Sequence, residues 1–155
     1  MSRRFAPAKP LIYISLLLIV MVVFLLIKGS LFSPGSQALA VVDEFYRYEQ
    51  EGEFSKSWSL FHSAMQEKFS KDNYIQDRAH VFMSHFGVET FTYKLGKPEK
   101  LEKWKMSESG KEHKNIFKVS VTQTYKSKYG TLKLNQEVYL IKEKEKWKIA
   151  WDYNH

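Results

Sequence analysis

Residues 117–153, FKVSVTQTYKSKYGTLKLNQEVYLIKEKEKWKIAWDY, decide the fold because apolar and polar residues alternate along most of this stretch. A period of two is that of a half-buried β-strand. Turn-forming residues interrupt it at Tyr129-Gly130 and between Glu143 and Lys146. The alternating apolar positions are Phe117, Val119, Val121, Tyr125, Leu132, Leu134, Val138, Leu140, Trp147, Ile149 and Trp151. We therefore predict three antiparallel strands joined by hairpins, with one apolar face.

Two shorter strands are predicted before this stretch. Phe91, Tyr93 and Leu95 alternate with polar residues until Gly96 and Pro98 break the pattern. Residues 100–107 are predicted to form a polar strand around Trp104.

Further upstream the period of the apolar residues changes to that of a helix. One helix is predicted from Ser36 to a stop at Gly52, and a second through Phe54–Met65. Ser70 can cap a third helix, which Gly87 ends. The predicted fold class is α+β, with three helices packed on a twisted antiparallel sheet of four to five strands.

A long apolar segment, Leu11–Ile27, precedes this domain and contains no charged residue, proline or glycine. Its length and lack of a polar face predict a transmembrane helix in contact with the lipid bilayer. A cleaved signal peptide is the alternative, because Ala38-Leu39-Ala40 has the form of a cleavage site. That site lies about 11 residues beyond Ile27, farther than is usual for a signal peptide. A buried helix of a water-soluble core is a third interpretation.

The charges beside the apolar segment predict its orientation. Arg3, Arg4 and Lys9 precede the segment, and only Lys28 follows it closely. Positive residues remain on the cytoplasmic side, so the prediction is a single-pass protein of the cell membrane with a cytoplasmic N-terminus and an extracytoplasmic C-terminal domain. The predicted organisation is a tail at 1–10, a transmembrane helix at 11–27, a linker at 28–36 and a domain at 37–155.

The overall charge of +7 is concentrated near the N-terminus. Once the four basic residues beside the apolar segment are set aside, the domain has 20 basic against 17 acidic residues. Its lysines often stand beside glutamates, as in Lys142–Lys146, so nucleic acid is not predicted as a partner. The absence of cysteine excludes disulfide bonds and a cysteine-linked lipid anchor.

Two groups of residues carry a resemblance to a known family. They are the run Lys146–Asp152, in which two tryptophans stand four apart before an aspartate, and the helical pair from Ala40 to Phe61. With the predicted order of elements, they resemble the nuclear-transport-factor-2-like (cystatin-like) fold, and in particular the MecA-type N-terminal non-catalytic domain of penicillin-binding proteins. The catalytic part of that family is not implied, because the sequence contains no Ser-x-x-Lys and no Lys-Thr-Gly.

Three residues are candidates for binding. Asp43 and Tyr46 could enter the mouth of a pocket between helices and sheet, although an acid near the start of a helix commonly complements the helix dipole. Trp104 lies on the lysine-rich strand and could contact a partner, whereas Trp147 and Trp151 are expected in the core. His80 and His85 are five apart and do not converge on one helix face. No catalytic residue, cofactor or metal is predicted.

The leading functional hypothesis is a non-enzymatic, membrane-anchored interaction module of the bacterial cell envelope. The resemblance implies an envelope protein as its partner, in the machinery of cell-wall synthesis, and a homodimer through the sheet is also predicted. A scaffold subunit of a secretion or conjugation apparatus is the second hypothesis. An isomerase, a dehydratase or a small-molecule-binding domain is the third.

Overall fold

The computed structural model describes residues 9–31, 33–80, 90–108, 110–127 and 129–152. The chain divides into two compact units, Met1–Ser33 and Pro34–His155. The predicted continuation of the third helix beyond His80, to Gly87, lies outside the described residues.

The first unit contains a helix, α1 (Lys9–Leu31), which continues through Lys28 into the predicted linker. Among the described residues, no helix is both long enough and apolar enough to cross a membrane. The predicted transmembrane helix is therefore wrong, and with it the single-pass location in the cell membrane. The apolar run Leu11–Ile27 does lie within a helix, as predicted.

The second unit begins with four helices. They are α2 (Pro34–Gln50), α3 (Phe54–Ser59), α4 (Ser63–Lys68) and α5 (Lys71–Ala79). The turn after α2 contains Gly52 with φ of +75°, a backbone conformation that glycine adopts without a steric penalty.

The described residues form five strands in one antiparallel sheet. They are β1 (Phe91–Leu95), β2 (Glu99–Lys105), β3 (Glu112–Ser127), β4 (Gly130–Glu143) and β5 (Lys146–Ala150). Strands β1 and β2 both pair with the same edge of β3, β1 along its C-terminal half and β2 along its N-terminal half. The other edge of β3 pairs with β4, and β4 pairs with β5. The result is a curled sheet.

Strand β5 covers only part of β4. The β3–β4 ladder runs without interruption from Phe117↔Leu140 to Ser127↔Gly130. Strand β5 pairs with Tyr139–Glu143 alone. The outer edge of β4 from residue 130 to residue 138 therefore has no strand beside it among the described residues.

The second predicted helix, Phe54–Met65, is divided in the structure. The Phe61 main chain forms a bridge with Ile149 of β5: the His62 amide donates to the Ile149 carbonyl at 2.8 Å, and the Ile149 amide donates to the Leu60 carbonyl at 2.9 Å. The His62 side chain then caps α4 by accepting from the Ala64 amide. Hydrogen bonding to a strand that is distant in sequence thus outweighs the helical pattern.

The core of the second unit lies between the sheet and α2–α5. Its fully buried large side chains include Phe45, Tyr46, Phe61, Met65, Ile116, Leu140 and Ile149. In the part of the chain that the structure describes, the protein is α+β, with a curled antiparallel sheet of five strands and five helices. The predicted fold class is wrong in its transmembrane helix. Four of the described helices precede the sheet in this unit, whereas three were predicted.

Candidate functional site

Asp43 and Tyr46, two of the predicted binding residues, lie on α2 and are connected through Tyr93 of β1. The exposed Asp43 Oδ1 accepts from the Tyr93 hydroxyl at 2.9 Å. The Tyr93 ring lies 5.6 Å from the ring of the buried Tyr46, whose hydroxyl donates to Gln136 Oε1 at 3.0 Å. Asp43 is in the middle of α2, away from the helix dipole's positive end, so the dipole does not explain it.

Trp104, the third predicted binding residue, stacks on Tyr139 of β4. The ring centroids are 4.0 Å apart and the rings are nearly parallel, at 13°. Trp104 is half-buried and packs against the core. No contact recorded among the described residues joins it to Asp43 or Tyr46, so the three candidates do not form one site in this part of the chain.

A buried polar cluster, which the sequence patterns did not predict, surrounds Glu49 of α2. Its side chain is fully buried and accepts from the Ser57 hydroxyl, from the Tyr74 hydroxyl at 2.7 Å and from the Arg78 guanidinium. One feature of the sequence could have indicated this cluster: Glu49 is an acidic residue on the apolar face of α2, seven positions after Val42. Such a placement requires a partner, because burial of an isolated carboxylate is costly.

The electrostatics of this cluster keep its phenols neutral and its guanidinium charged. Burial raises the pKa values of Tyr46 and Tyr74, and Glu49 adds to this effect. Burial opposes the charge on Arg78, but the adjacent Glu49 carboxylate outweighs it and raises the Arg78 pKa. Burial also raises the pKa of Tyr125 to about 12. None of these four groups changes its protonation near neutral pH, so they are suited to holding α2, α3 and α5 together rather than to transferring protons.

A histidine pair lies where the start of α4 meets β3. The rings of His62 and His113 are 5.1 Å apart, edge to face. Burial lowers the pKa of both histidines. Glu143 opposes the shift of His62, while Lys111 adds to the shift of both. Among the residues that the structure describes, no group of three or more His, Asp or Glu is arranged to hold a metal ion.

We expect the free energy of unfolding to fall as the pH drops below 6.5, the ordinary histidine value. The unfolded chain then binds protons that the folded histidines resist until the pH reaches their lower pKa values. Urea unfolding at pH 7.5 and at pH 5.5 measures this loss for the wild type and for His62→Asn/His113→Gln. Asn is a good N-cap, so helix α4 keeps its start.

The double variant should lose less stability than the wild type over this pH range. An equal loss would show that other groups cause the pH dependence. Glu143 does not interfere, because hydrogen bonding from Ser63 lowers its pKa and its effect therefore belongs to more acidic solutions.

The free edge of β4, defined as residues 130–138, is largely exposed. Residues 130–135 and 137 are exposed, and Leu132 and Leu134 retain 50% and 47% of their accessible surface. In the second unit, only Tyr129 joins these two as an exposed large hydrophobic residue among those described. A hollow of about 210 Å³ lies beside the start of this edge, lined by Ser127, Tyr129, Gly130, Thr131 and Leu132.

The hydrogen-bonding direction of this edge follows from β5. The Ile149 amide and carbonyl bond to Leu60 and His62, so the pair Leu140↔Ile149 is not hydrogen-bonded. Main-chain direction alternates along antiparallel strands, so even-numbered residues of β4 bond to β3. Odd-numbered ones face away from β3, and before β5 begins they are Thr131, Lys133, Asn135 and Glu137.

Comparisons with known proteins do not assign a family: no protein-family model matches the chain, and no curated protein matches it. The resemblance to the nuclear-transport-factor-2-like fold and to the N-terminal domain of penicillin-binding proteins stays a prediction.

Proposed function

We propose that this protein is a non-enzymatic interaction module that binds a protein partner along the free edge of β4. The observation that carries the proposal is the coincidence of two features on one strand: the outward main-chain groups at residues 131–137 and the exposed Leu132 and Leu134. A long exposed edge presents unpaired main-chain N–H and C=O groups that can pair with a strand of another chain.

The physical basis of binding is strand addition. A partner strand supplies main-chain hydrogen bonds to Thr131, Lys133, Asn135 and Glu137, and these bonds provide affinity for any extended segment. The leucines at alternate positions provide specificity, because a partner must place apolar side chains against them.

The interior of the domain supports a non-enzymatic role. An acid beside a tyrosine is the arrangement that an isomerase or dehydratase of this architecture would use, and Glu49 does lie beside Tyr74. However, the Glu49 side chain is fully buried and already accepts from Ser57, Tyr74 and Arg78. A carboxylate engaged in this way holds helices together and is poorly placed to take a proton from a substrate.

The resemblance favours the machinery of cell-wall synthesis as the assembly in which this module acts, and a secretion or conjugation apparatus is the alternative. Both hypotheses rest on the sequence and leave open which protein covers the edge. A crosslinking experiment tests whether a protein covers it.

In that experiment a photo-crosslinking amino acid replaces Leu134, in cells that express the full chain. We expect a covalent adduct, which mass spectrometry then identifies, because the side chain lies on the edge that the partner covers. Thr92, which is exposed on β1, is the matched control position and should yield no adduct of the same mass. Equal labelling at both positions, or none at Leu134, would refute binding at this edge.

A further inference from the structure

We infer that the strand which covers the free edge of β4 is the same edge of a second copy of this chain, so that two curled sheets join into one. This inference rests on the proposed function, because it names the partner at the same edge. It follows from the length, direction and side chains of residues 130–138.

The length of the edge determines where two copies would meet. The hairpin turn bounds it at Gly130, and β5 bounds it at Tyr139. Two identical antiparallel strands around a two-fold axis pair over their whole free length only when the axis passes through the middle residue, Leu134. If the axis moved from Leu134 toward Tyr139, the turn of one copy would meet β5 of the other.

The hydrogen-bonding direction is compatible with this register. With Leu134 on the axis, Lys133 lies opposite Asn135 of the second copy, and Thr131 lies opposite its Glu137. All four of these residues direct their main-chain N–H and C=O groups outward, so the groups of one copy can hydrogen-bond to those of the other. A shift by a single residue in one copy would place outward-facing residues opposite inward-facing ones.

The side chains also favour this register. Leu134 lies opposite Leu134 of the second copy, which would remove the exposed apolar surface at the centre of the edge from water. The free edge carries one basic and one acidic residue, Lys133 and Glu137, and no like charges lie directly opposite each other. Moving the axis to Lys133 would place two lysines face to face, which is destabilising.

Single-cysteine variants test the register directly, because the chain contains no cysteine of its own. The main-chain N–H and C=O of Leu134 point toward β3, so Leu134 of one copy and Leu134 of the other form a pair that is not hydrogen-bonded. The Cα atoms of these two residues would lie about 4.5 Å apart. This separation permits a disulfide bond. We expect the purified full-length Leu134→Cys variant to form a disulfide-linked dimer in a glutathione redox buffer.

Leu132→Cys is the matched control. Leu132 is also a leucine, lies on the same strand and on the same face as Leu134, and is exposed to nearly the same extent. In the proposed dimer its two Cα atoms lie about 14 Å apart, four residues along the strand, and cannot be joined. We expect Leu134→Cys to crosslink at least about tenfold faster than Leu132→Cys, because only the former meets the geometric limits of a disulfide.

A second variant separates strand pairing from chance collision. Lys133→Pro removes an outward main-chain N–H, and a proline is tolerated on an edge strand where its missing N–H faced solvent. Added to Leu134→Cys, it should reduce crosslinking to the rate of the Leu132→Cys control. Circular dichroism and urea unfolding verify that this variant is folded.

The results separate this inference from the proposed function. Equal crosslinking rates for the two cysteine variants, or faster crosslinking of Leu132→Cys, would overturn the dimer. If photo-crosslinking at Leu134 in cells then captures only a different protein, the interaction module stands and the second copy is excluded. If neither experiment yields an adduct, both proposals fail.

Discussion

Replacing Glu49 with Ala is expected to lower the free energy of unfolding by about 3–5 kcal/mol, because it removes a fully buried carboxylate that three side chains share as their acceptor. Arg78 would lose its carboxylate partner, and the buried hydroxyls of Ser57 and Tyr74 would lose their shared acceptor. Urea denaturation followed by circular dichroism measures the change.

Two further variants show whether this loss comes from the pair. Glu51→Ala is the matched control on the neighbouring turn. Its exposed carboxylate lies 3.8 Å from Arg47, and loss of such a surface pair costs at most about 1 kcal/mol. Glu49→Met/Arg78→Met removes both charges and should cost less than the sum of the two single changes, because neither charge is then stranded. If Glu49→Ala were no more costly than Glu51→Ala, the cluster would not hold the helices together.

Replacing Trp147 with Ala is expected to cost about 3–5 kcal/mol of unfolding free energy, as for other large-to-small changes in a core. Trp147 retains only 8% of its accessible surface and packs edge to face against Phe117, with ring centroids 5.4 Å apart. Thermal and urea unfolding of the purified variant measure the loss.

Trp147→Phe is the control for this prediction. The Trp147 indole N–H is buried and has no hydrogen-bond partner among the described residues. Phe keeps an aromatic ring but removes this unsatisfied donor, so part of the lost contact is offset and the cost should be much smaller than that of Ala. A Phe variant as unstable as the Ala variant would show that the Trp147 indole N–H does donate a hydrogen bond that stabilises the fold.

Trp104→Ala should cost less than Trp147→Ala, about 1–2 kcal/mol, because the half-buried ring loses only its stack on Tyr139 and some packing. The sequence favoured Trp104 as a residue that contacts a partner, and this stays a prediction. The structure adds a packing role: the curl of the sheet brings Trp104 of β2 over Tyr139 of β4, although β3 lies between these strands.

Local patterns were sufficient for the strands. Alternation placed Phe91–Leu95 and the long hairpin around Tyr129-Gly130 where the structure has β1, β3 and β4. This success has a simple cause, since a strand with one buried face must alternate whatever its partners are. An apolar run likewise predicted the helix at α1, but the inference from apolar helix to membrane span did not hold for the described residues.

The sequence by itself determined the periodicities: which segments are strands, which are helices, and which face of each is apolar. Tertiary structure decided three other features: the break between α3 and α4, the partners of Glu49, and the part of β4 that β5 leaves uncovered. The physical reason is that each of these depends on groups far apart in the chain. The amide of His62 bonds to Ile149, and the carboxylate of Glu49 meets Arg78, only after the chain has folded.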